Sequence, residues 1–311
     1  MGLKGVCALI QKLAPSGITN NHIDTYSKSI VAIDTGILLH RFSVSSENTV
    51  TCFAKICIKY LSCNIRPVFI FDGPSPKCKQ DIIAKRIYKK QKLLRRIIEL
   101  EIKKESILKI NKLKSKLVHV TREDRVNVFN FLSSAGFDVF ESPGEAETMC
   151  AFLQHKGIVD FVYTDDSDAF ALGCKKILRN FKCGRFDQVN MDVVLSKLNL
   201  TMTQFVDMCI LCGCDYCPSI PYVNYTLAYN LIAESGNIES VLSNNDLKIP
   251  DSYQSKVEDA RSAFTDFSIF KIVELKRKLI VTENVNTFSV KESLIHRLAI
   301  LAAKYNRLNC R

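Results

Sequence analysis

Three stretches of the chain are almost wholly apolar and each runs into aspartate, and this pattern restricts the fold more than any other feature of the 311 residues. Ser29–Asp34 reads SIVAID, Arg66–Asp72 reads RPVFIFD, and Val159–Thr164 reads VDFVYT ahead of Asp165, Asp166 and Asp168. A strand with one face in water alternates apolar and polar residues, whereas a near-continuous apolar run suits a parallel strand covered on both faces. Helical patterns separate the runs: Cys52–Cys63, Glu123 to about Ser134, and a helix opening around Pro143 with Glu145, Ala146 and Glu147 in its first turn. Gly136–Phe140 reads as a short strand after a helix stop. Strand and helix alternate, which predicts an α/β core with a central, mainly parallel sheet flanked by helices. After about Val189 the character changes. Helices are predicted at Asp192–Leu198, Thr203–Leu211 and Tyr225–Glu234, the last running to a Ser235-Gly236 stop. Cys212–Pro221 is turn-rich, Lys271–Lys278 is a basic segment, and a final helix falls near Val290–Asn306.

Charge is distributed as unevenly as hydropathy. Between Lys77 and Lys116 there are fifteen Lys and Arg against four acids, so the whole net charge of +11 sits in one segment and the other residues balance. The segment lacks Pro and Gly and is rich in helix formers, which predicts one or two basic helices from about Asp81 to Leu117 with an apolar side to pack. So local an excess points to a surface for nucleic-acid phosphates. A solvated charged face, a membrane-surface helix and a coiled coil are the other readings. No run approaches 18 apolar residues, which excludes a membrane-spanning helix, and the N-terminus lacks the pattern of a secretory signal. The thirteen cysteines are accordingly read as reduced thiols of an intracellular protein.

Ligand-binding residues of parallel α/β sheets lie at the carboxyl ends of strands. Asp34, Asp72 and the Asp166/Asp168 pair stand at such ends, Glu145 and Glu147 open a helix, and Asp215 lies in the turn after another. An aspartate after a strand is, taken singly, usually a turn or a helix cap. Three acids crowded in TDDSD are harder to explain that way. Seven carboxylates in one pocket would need protonation or divalent cations to coexist, and hard oxygen donors suit Mg²⁺ or Mn²⁺. A pair of such ions serves in-line attack on a phosphodiester.

Six separated motifs carry a family resemblance: MGLKGVCALI at 1–10, VAIDT at 31–35, FIFDG at 69–73, ESPGEAE at 141–147, TDDSDAFALG at 164–173 and CILCGCDYC at 209–217. Together they resemble the structure-specific 5′ nucleases, the family of flap endonuclease, exonuclease 1 and the XPG-type repair nuclease. VAIDTGILLHR, DDSDAFALGCKKIL, IPDSY at 249–253 and ELKRKLI at 274–280 are most similar to the exonuclease 1 branch. The resemblance implies a PIN-like nuclease core over residues 1–200 with a basic helical arch at 77–118. It implies a helix–two-turn–helix region at 201–240 and a helical extension at 241–311. By position, Asp34, Asp72, Glu145, Glu147, Asp166, Asp168 and Asp215 match the metal-site acids, and Asp165 a neighbour that is not a ligand. Lys79 and Arg86 match a basic pair that faces the scissile phosphate, with Lys85, Lys89 and Lys90 beside them on the DNA-binding surface. His40, by itself an ordinary helix histidine, matches a residue stacking on the terminal nucleotide, and Gly2 an N-terminal glycine packed close to the site. The implied activity is Mg²⁺-dependent 5′-to-3′ double-stranded DNA exonuclease and 5′ flap endonuclease, through two ions for which Mn²⁺ substitutes. The implied partner is nicked, gapped, 5′-recessed or flapped duplex, handled by a monomer in the nucleus during DNA repair, mismatch repair and recombination. A flap-specific endonuclease of replication, a non-catalytic DNA-binding scaffold and an RNA-directed nuclease are the competing readings.

The chain departs from the family pattern. The interval from Asp34 to Asp72 is short, with the deficit around Ser43–Asn48, where the family places a wedge between duplexes. Tyr222 and Asn224 replace the glycines of a hairpin that in the family binds a monovalent cation, often potassium, which weighs against such a site here. No sliding-clamp box and no mismatch-repair-binding tail is read. Cys209, Cys212, Cys214 and Cys217 have metal-like spacing, but they straddle a predicted helix and Asp215, so they are read as buried thiols.

Overall fold

The computed structural model describes residues 2–270, except 46, 77, 78, 115, 116, 118, 119, 245 and 246, together with Leu298 and Ile300. Seven strands form one sheet: β1 (Ile18–His22), β2 (Ile30–Asp34), β3 (Arg66–Phe71), β4 (Asp138–Glu141), β5 (Phe161–Tyr163), β6 (Lys176–Lys182) and β7 (Arg185–Asn190). Their spatial order is β1-β7-β6-β5-β2-β3-β4. The strands from β6 through β4 are all parallel, and β1 and β7 add antiparallel pairings at the other edge.

The apolar runs divide between two cores, as strand alternation requires. Val31, Ile33, Phe69, Phe71 and Tyr163 point to one face, where they meet α2 (Thr35–Ser43), α3 (Thr49–Ser62) and α6 (Arg122–Ser134) through Leu38, Phe53, Tyr60, Val128 and Phe131. Ala32, Val68, Ile70 and Val162 point to the other face. There they join one core with α1 (Val6–Leu13), α7 (Ala146–His155), α8 (Asp168–Ala171), α9 (Met191–Leu198), α10 (Met202–Cys212), α11 (Tyr225–Ser235), α12 (Ile238–Asn244) and α13 (Tyr253–Thr265), with α7 against the strands themselves. Each buried Leu, Ile or Phe contributes about 1.5–3 kcal/mol, so two covered faces explain why the central strands contain so few polar residues.

The basic segment folds into two helices, α4 (Gln80–Ile102) and α5 (Ile107–Lys114). Ile97, Leu100 and Ile110 bury a small core of their own, with Leu93, Leu113 and Leu117 against it. Part of the expected apolar side is uncovered: Ile87, Leu94, Ile98 and Ile102 are exposed.

Two expectations need correction. The helix placed at Pro143 begins at Ala146, with Glu145 as its N-cap. The preceding residues are bonded elsewhere: the Gly144 N–H donates to Ser142 Oγ, and the Gly144 carbonyl accepts the Gly73 N–H at 2.7 Å. The β6–β7 hairpin was not foreseen. It turns on Cys183 and Gly184, both at positive φ (51° and 72°), the geometry of a two-residue type I′ turn without the usual Asn-Gly signal. The basic segment Lys271–Lys278 and the helix read near Val290–Asn306 lie outside the described residues, apart from Leu298 and Ile300. Among the described residues, no helix is long and apolar enough to cross a membrane.

Candidate active site

Strands β5, β2, β3 and β4 are neighbours running in one direction, so their carboxyl ends share one rim of the sheet. The connection after β2 leads to β3 on one side, while β5 lies on the other, which makes this rim a topological switch point. Asp34 ends β2 and caps α2, its Oδ1 accepting the Gly36 N–H at 3.1 Å. Asp72 follows β3 and accepts the Ala146 N–H at 2.9 Å, which ties it to the start of α7. Glu145 and Glu147 stand at that helix start. Asp166 accepts the Asp168 N–H at 3.1 Å in the loop after β5. A Cβ on Gly36 would lie 2.9 Å from Asp72 and 3.3 Å from Asp34, so both acids crowd one glycine.

Lys79 occupies the middle of this group. Its ammonium lies 2.7 Å from Glu145, 3.8 Å from Glu147, 3.8 Å from Asp215 and 3.9 Å from Asp168, and the residue is 5% exposed. Burial alone would favour the neutral amine, but Glu147, Glu145 and Asp168 outweigh it and hold the group above its ordinary range. Arg86, on the first turns of α4, donates to Asp215 at 2.5 Å. The basic pair expected to face a phosphate thus stands on the acids themselves. Lys85, Lys89 and Lys90 are exposed along α4, and His40 is exposed in the last turn of α2.

Positive charge in the cluster does not match the negative. Asp34 is pushed up to about 7, by burial and then by Asp72; Asp168 reaches about 7 through burial and then Asp166. Glu147 is raised by burial, Glu145 and Asp34. Among the described residues, Asp168 Oδ1 is buried with no hydrogen-bond partner. These are marks of a site short of cationic charge, and its donors are carboxylate oxygens throughout, the chemistry that suits a hard divalent ion. Among the described residues, no three or more His, Cys, Asp or Glu side chains stand in ready coordination geometry. The donor set therefore fits divalent ions in kind, while Lys79 stands among its acids.

Gly2 adopts φ +92°, and a Cβ there would strike the Asp166 carboxylate and lie 2.7 Å from Asp168 Oδ1 and from Ser167 Oγ. Only glycine permits that approach. Sequence reasoning did not single out Tyr216 or Thr164. The Tyr216 hydroxyl donates to Glu145 Oε2 at 2.8 Å, and its ring lies 4.7 Å from the Lys79 ammonium. Thr164 Oγ1 donates to Asp34 Oδ2 at 3.0 Å and accepts the Asp166 N–H at 3.1 Å. The aromatic in GCDYC and the hydroxyl ahead of DDSD were the available signals. Cys209, Cys212, Cys214 and Cys217 are free buried thiols, among eleven free cysteines in the described residues. Burial raises all four, Cys217 to about 11 and Cys212 and Cys214 to about 12.

At the expected hairpin, Tyr222 takes the left-handed conformation (φ +66°) and is 92% exposed. Asn224 does not. It caps α11, its side chain accepting the N–H groups of Thr226 and Leu227 at 3.0 Å.

An acidic rim at the switch point of a mainly parallel sheet, reached from the basic helix α4 by Arg86, is the arrangement that the resemblance in the sequence implies. The sequence matches the XPG N-terminal domain over residues 1–93 and the XPG I-region over residues 136–215. It is 31% identical to flap endonuclease 1 of Plasmodium chabaudi chabaudi over 94% of this chain and 68% of that protein. The fold is similar to the catalytic core of Rad2 in complex with DNA substrate (TM-score 0.62, 23% identity, 94% of this chain and 86% of that one). It is also similar to flap endonuclease-1 from Methanococcus jannaschii (TM-score 0.60, 21% identity, 93% and 98%). The chain belongs to the XPG and flap endonuclease family of structure-specific 5′ nucleases. It spans 51–68% of the length of the curated relatives it matches first.

Proposed function

We propose that the chain is a divalent-metal-dependent 5′ nuclease that hydrolyses phosphodiesters in duplex DNA at 5′ flaps, nicks, gaps or recessed 5′ ends, leaving 5′-phosphates. The observation that carries this reading is the gathering of Asp34, Asp72, Glu145, Glu147, Asp166, Asp168 and Asp215 around one rim with unbalanced negative charge. These residues would hold the ions, with Mg²⁺ first and Mn²⁺ as substitute. Divalent ions at such a site activate water and stabilise charge on the reacting phosphate.

The chain's own side chains supply the rest. Lys79 and Arg86 stand at the site with positive charge, where phosphate entering with its counter-ions would draw them from the carboxylates. Tyr216 and Thr164 orient Glu145 and Asp34 through hydrogen bonds. Lys85, Lys89 and Lys90 offer a sequence-independent grip on the backbone, and His40 offers a ring for the terminal nucleotide. Gly2 leaves space beside Asp166 and Asp168. The relatives' name favours cutting at flaps, and the motif likeness to exonuclease 1 favours stepwise removal of nucleotides. In either case the reading places the protein in the nucleus, in repair or replication of DNA, as a monomer.

The test is a time course on nicked and 5′-flapped duplex, each with Mg²⁺ and with EDTA. Metal-dependent cleavage is expected. A single junction cut supports the flap reading, and progressive release of mononucleotides the exonuclease reading. DNA left intact in ample Mg²⁺ would overturn the nuclease assignment.

A further inference from the structure

Of the acids in the TDDSD run, Asp165 alone turns away from the cluster, and three residues from two elements grip it. Arg41 of α2 donates to its Oδ2 at 2.6 Å, and the Asn180 N–H of β6 donates to its Oδ1 at 2.7 Å. Arg179, also on β6, donates to its main-chain carbonyl. A second nitrogen of Arg41 donates to the buried Tyr163 hydroxyl at 2.6 Å, at the end of β5. Asp34 is the N-cap of α2, and Arg41 lies in the last turn of that helix. The helix is thus fastened to residues 163–165 twice: at its start by Thr164 on Asp34, and two turns later by Arg41.

The fastening has a physical purpose. Asp34, Asp166, Asp168 and Glu147 repel one another, and repulsion pushes the 164–168 loop and the start of α2 apart. An ion pair placed just outside the cluster resists that push without adding charge to it. Such a pair is partly buried and charge-assisted, and so stronger than a free surface pair. The next residue to Arg41 is His40, exposed on the same last turn.

We infer that Arg41 is a positioning residue that sets where the chain cuts: through Asp165 and Tyr163 it fixes the last turn of α2, and His40 with it, at a set spacing from Asp166 and Asp168. The inference rests on the nuclease reading above. Loss of Arg41 lets the end of α2 drift from the 164–168 loop, so the phosphodiester presented to the acids varies.

The experiment compares wild type with Arg41→Met, which keeps the stem and removes the bonds, and Arg41→Lys, which keeps the charge but not the fork. Products from a 5′-flap duplex labelled at its 3′ end are resolved to single nucleotides. Amide hydrogen exchange at residues 164–168 is measured without DNA, which also shows whether each variant is folded. In Arg41→Met, exchange at 164–168 is expected to quicken roughly tenfold and the cut to spread over neighbouring phosphodiesters, with Arg41→Lys intermediate in both. A folded Arg41→Met that cuts at the wild-type phosphodiester overturns the inference, whether or not its exchange changes. Failure of the nuclease reading looks different, since then the wild type itself cuts nothing.

Discussion

Lys79 carries the electrostatic balance of the site. A buried ammonium with four carboxylates within 4 Å leaves them uncompensated when it is removed. Lys79→Met is therefore expected to cost roughly 3–5 kcal/mol, measured by denaturant unfolding in EDTA; a loss below about 1 kcal/mol, the value of a surface pair, would refute this. The same cluster predicts how stability follows pH. Asp34 and Asp168 are held at about 7 against 3.8 for an ordinary aspartate. Between those values the folded chain binds more protons than the unfolded one, so stability falls as pH rises. In EDTA, Tm is expected to decline from about pH 5 to about pH 8, and Asp168→Asn is expected to flatten that decline while abolishing cleavage. A Tm that rises over the interval in wild type would contradict the account. The acids were legible in the sequence because each follows an apolar run or opens a helix. Thr164 and Tyr216 left only faint local signals, and Arg41 left none, because its partners lie 122 and 124 positions away.

At the scale of elements, the turn Ile220-Pro221-Tyr222-Val223 is closed by the Val223 N–H on the Ile220 carbonyl at 3.1 Å. Proline at its second position and positive φ at its third are the type II arrangement, which calls for glycine where Tyr222 stands. Tyr222→Gly is thus expected to stabilise the protein by about 1 kcal/mol, read as a higher denaturant midpoint with unchanged m-value; a lower midpoint would show that the exposed ring makes contacts the turn depends on. Tyr222 and Asn224 made the departure from the glycine pattern visible in the sequence, but not its resolution, in which tyrosine takes the strain and Asn224 becomes a cap. The central parallel strands were equally visible, since burial on two faces removes polar residues from them. The β6–β7 hairpin was hidden because Cys183-Gly184 is a weak turn signal and its strands, half exposed, mix charge with apolar residues.

For the molecule as a whole, charge and chemistry are separated: a net excess of positive charge on α4 and α5, and an acidic rim at the sheet. Replacing Lys85, Lys89 and Lys90 by alanine is expected to weaken DNA binding evenly across sequences. The slope of log affinity against log salt should shrink by roughly 0.9 for each phosphate no longer neutralised, measured by fluorescence anisotropy. An unchanged slope would place the phosphate grip elsewhere. That separation was already present in the sequence as a local charge excess, whereas the position of Lys79 inside the acidic group follows only from the fold. Whether the seven carboxylates form one divalent-ion site is decided by anomalous scattering from crystals soaked in Mn²⁺. Two peaks are expected roughly 3.5–4 Å apart within reach of Asp34, Asp72, Glu147, Asp166 and Asp168, with the Lys79 ammonium moved off the acids. Manganese absent from this rim, with Lys79 still on Glu145, would contradict the shared site.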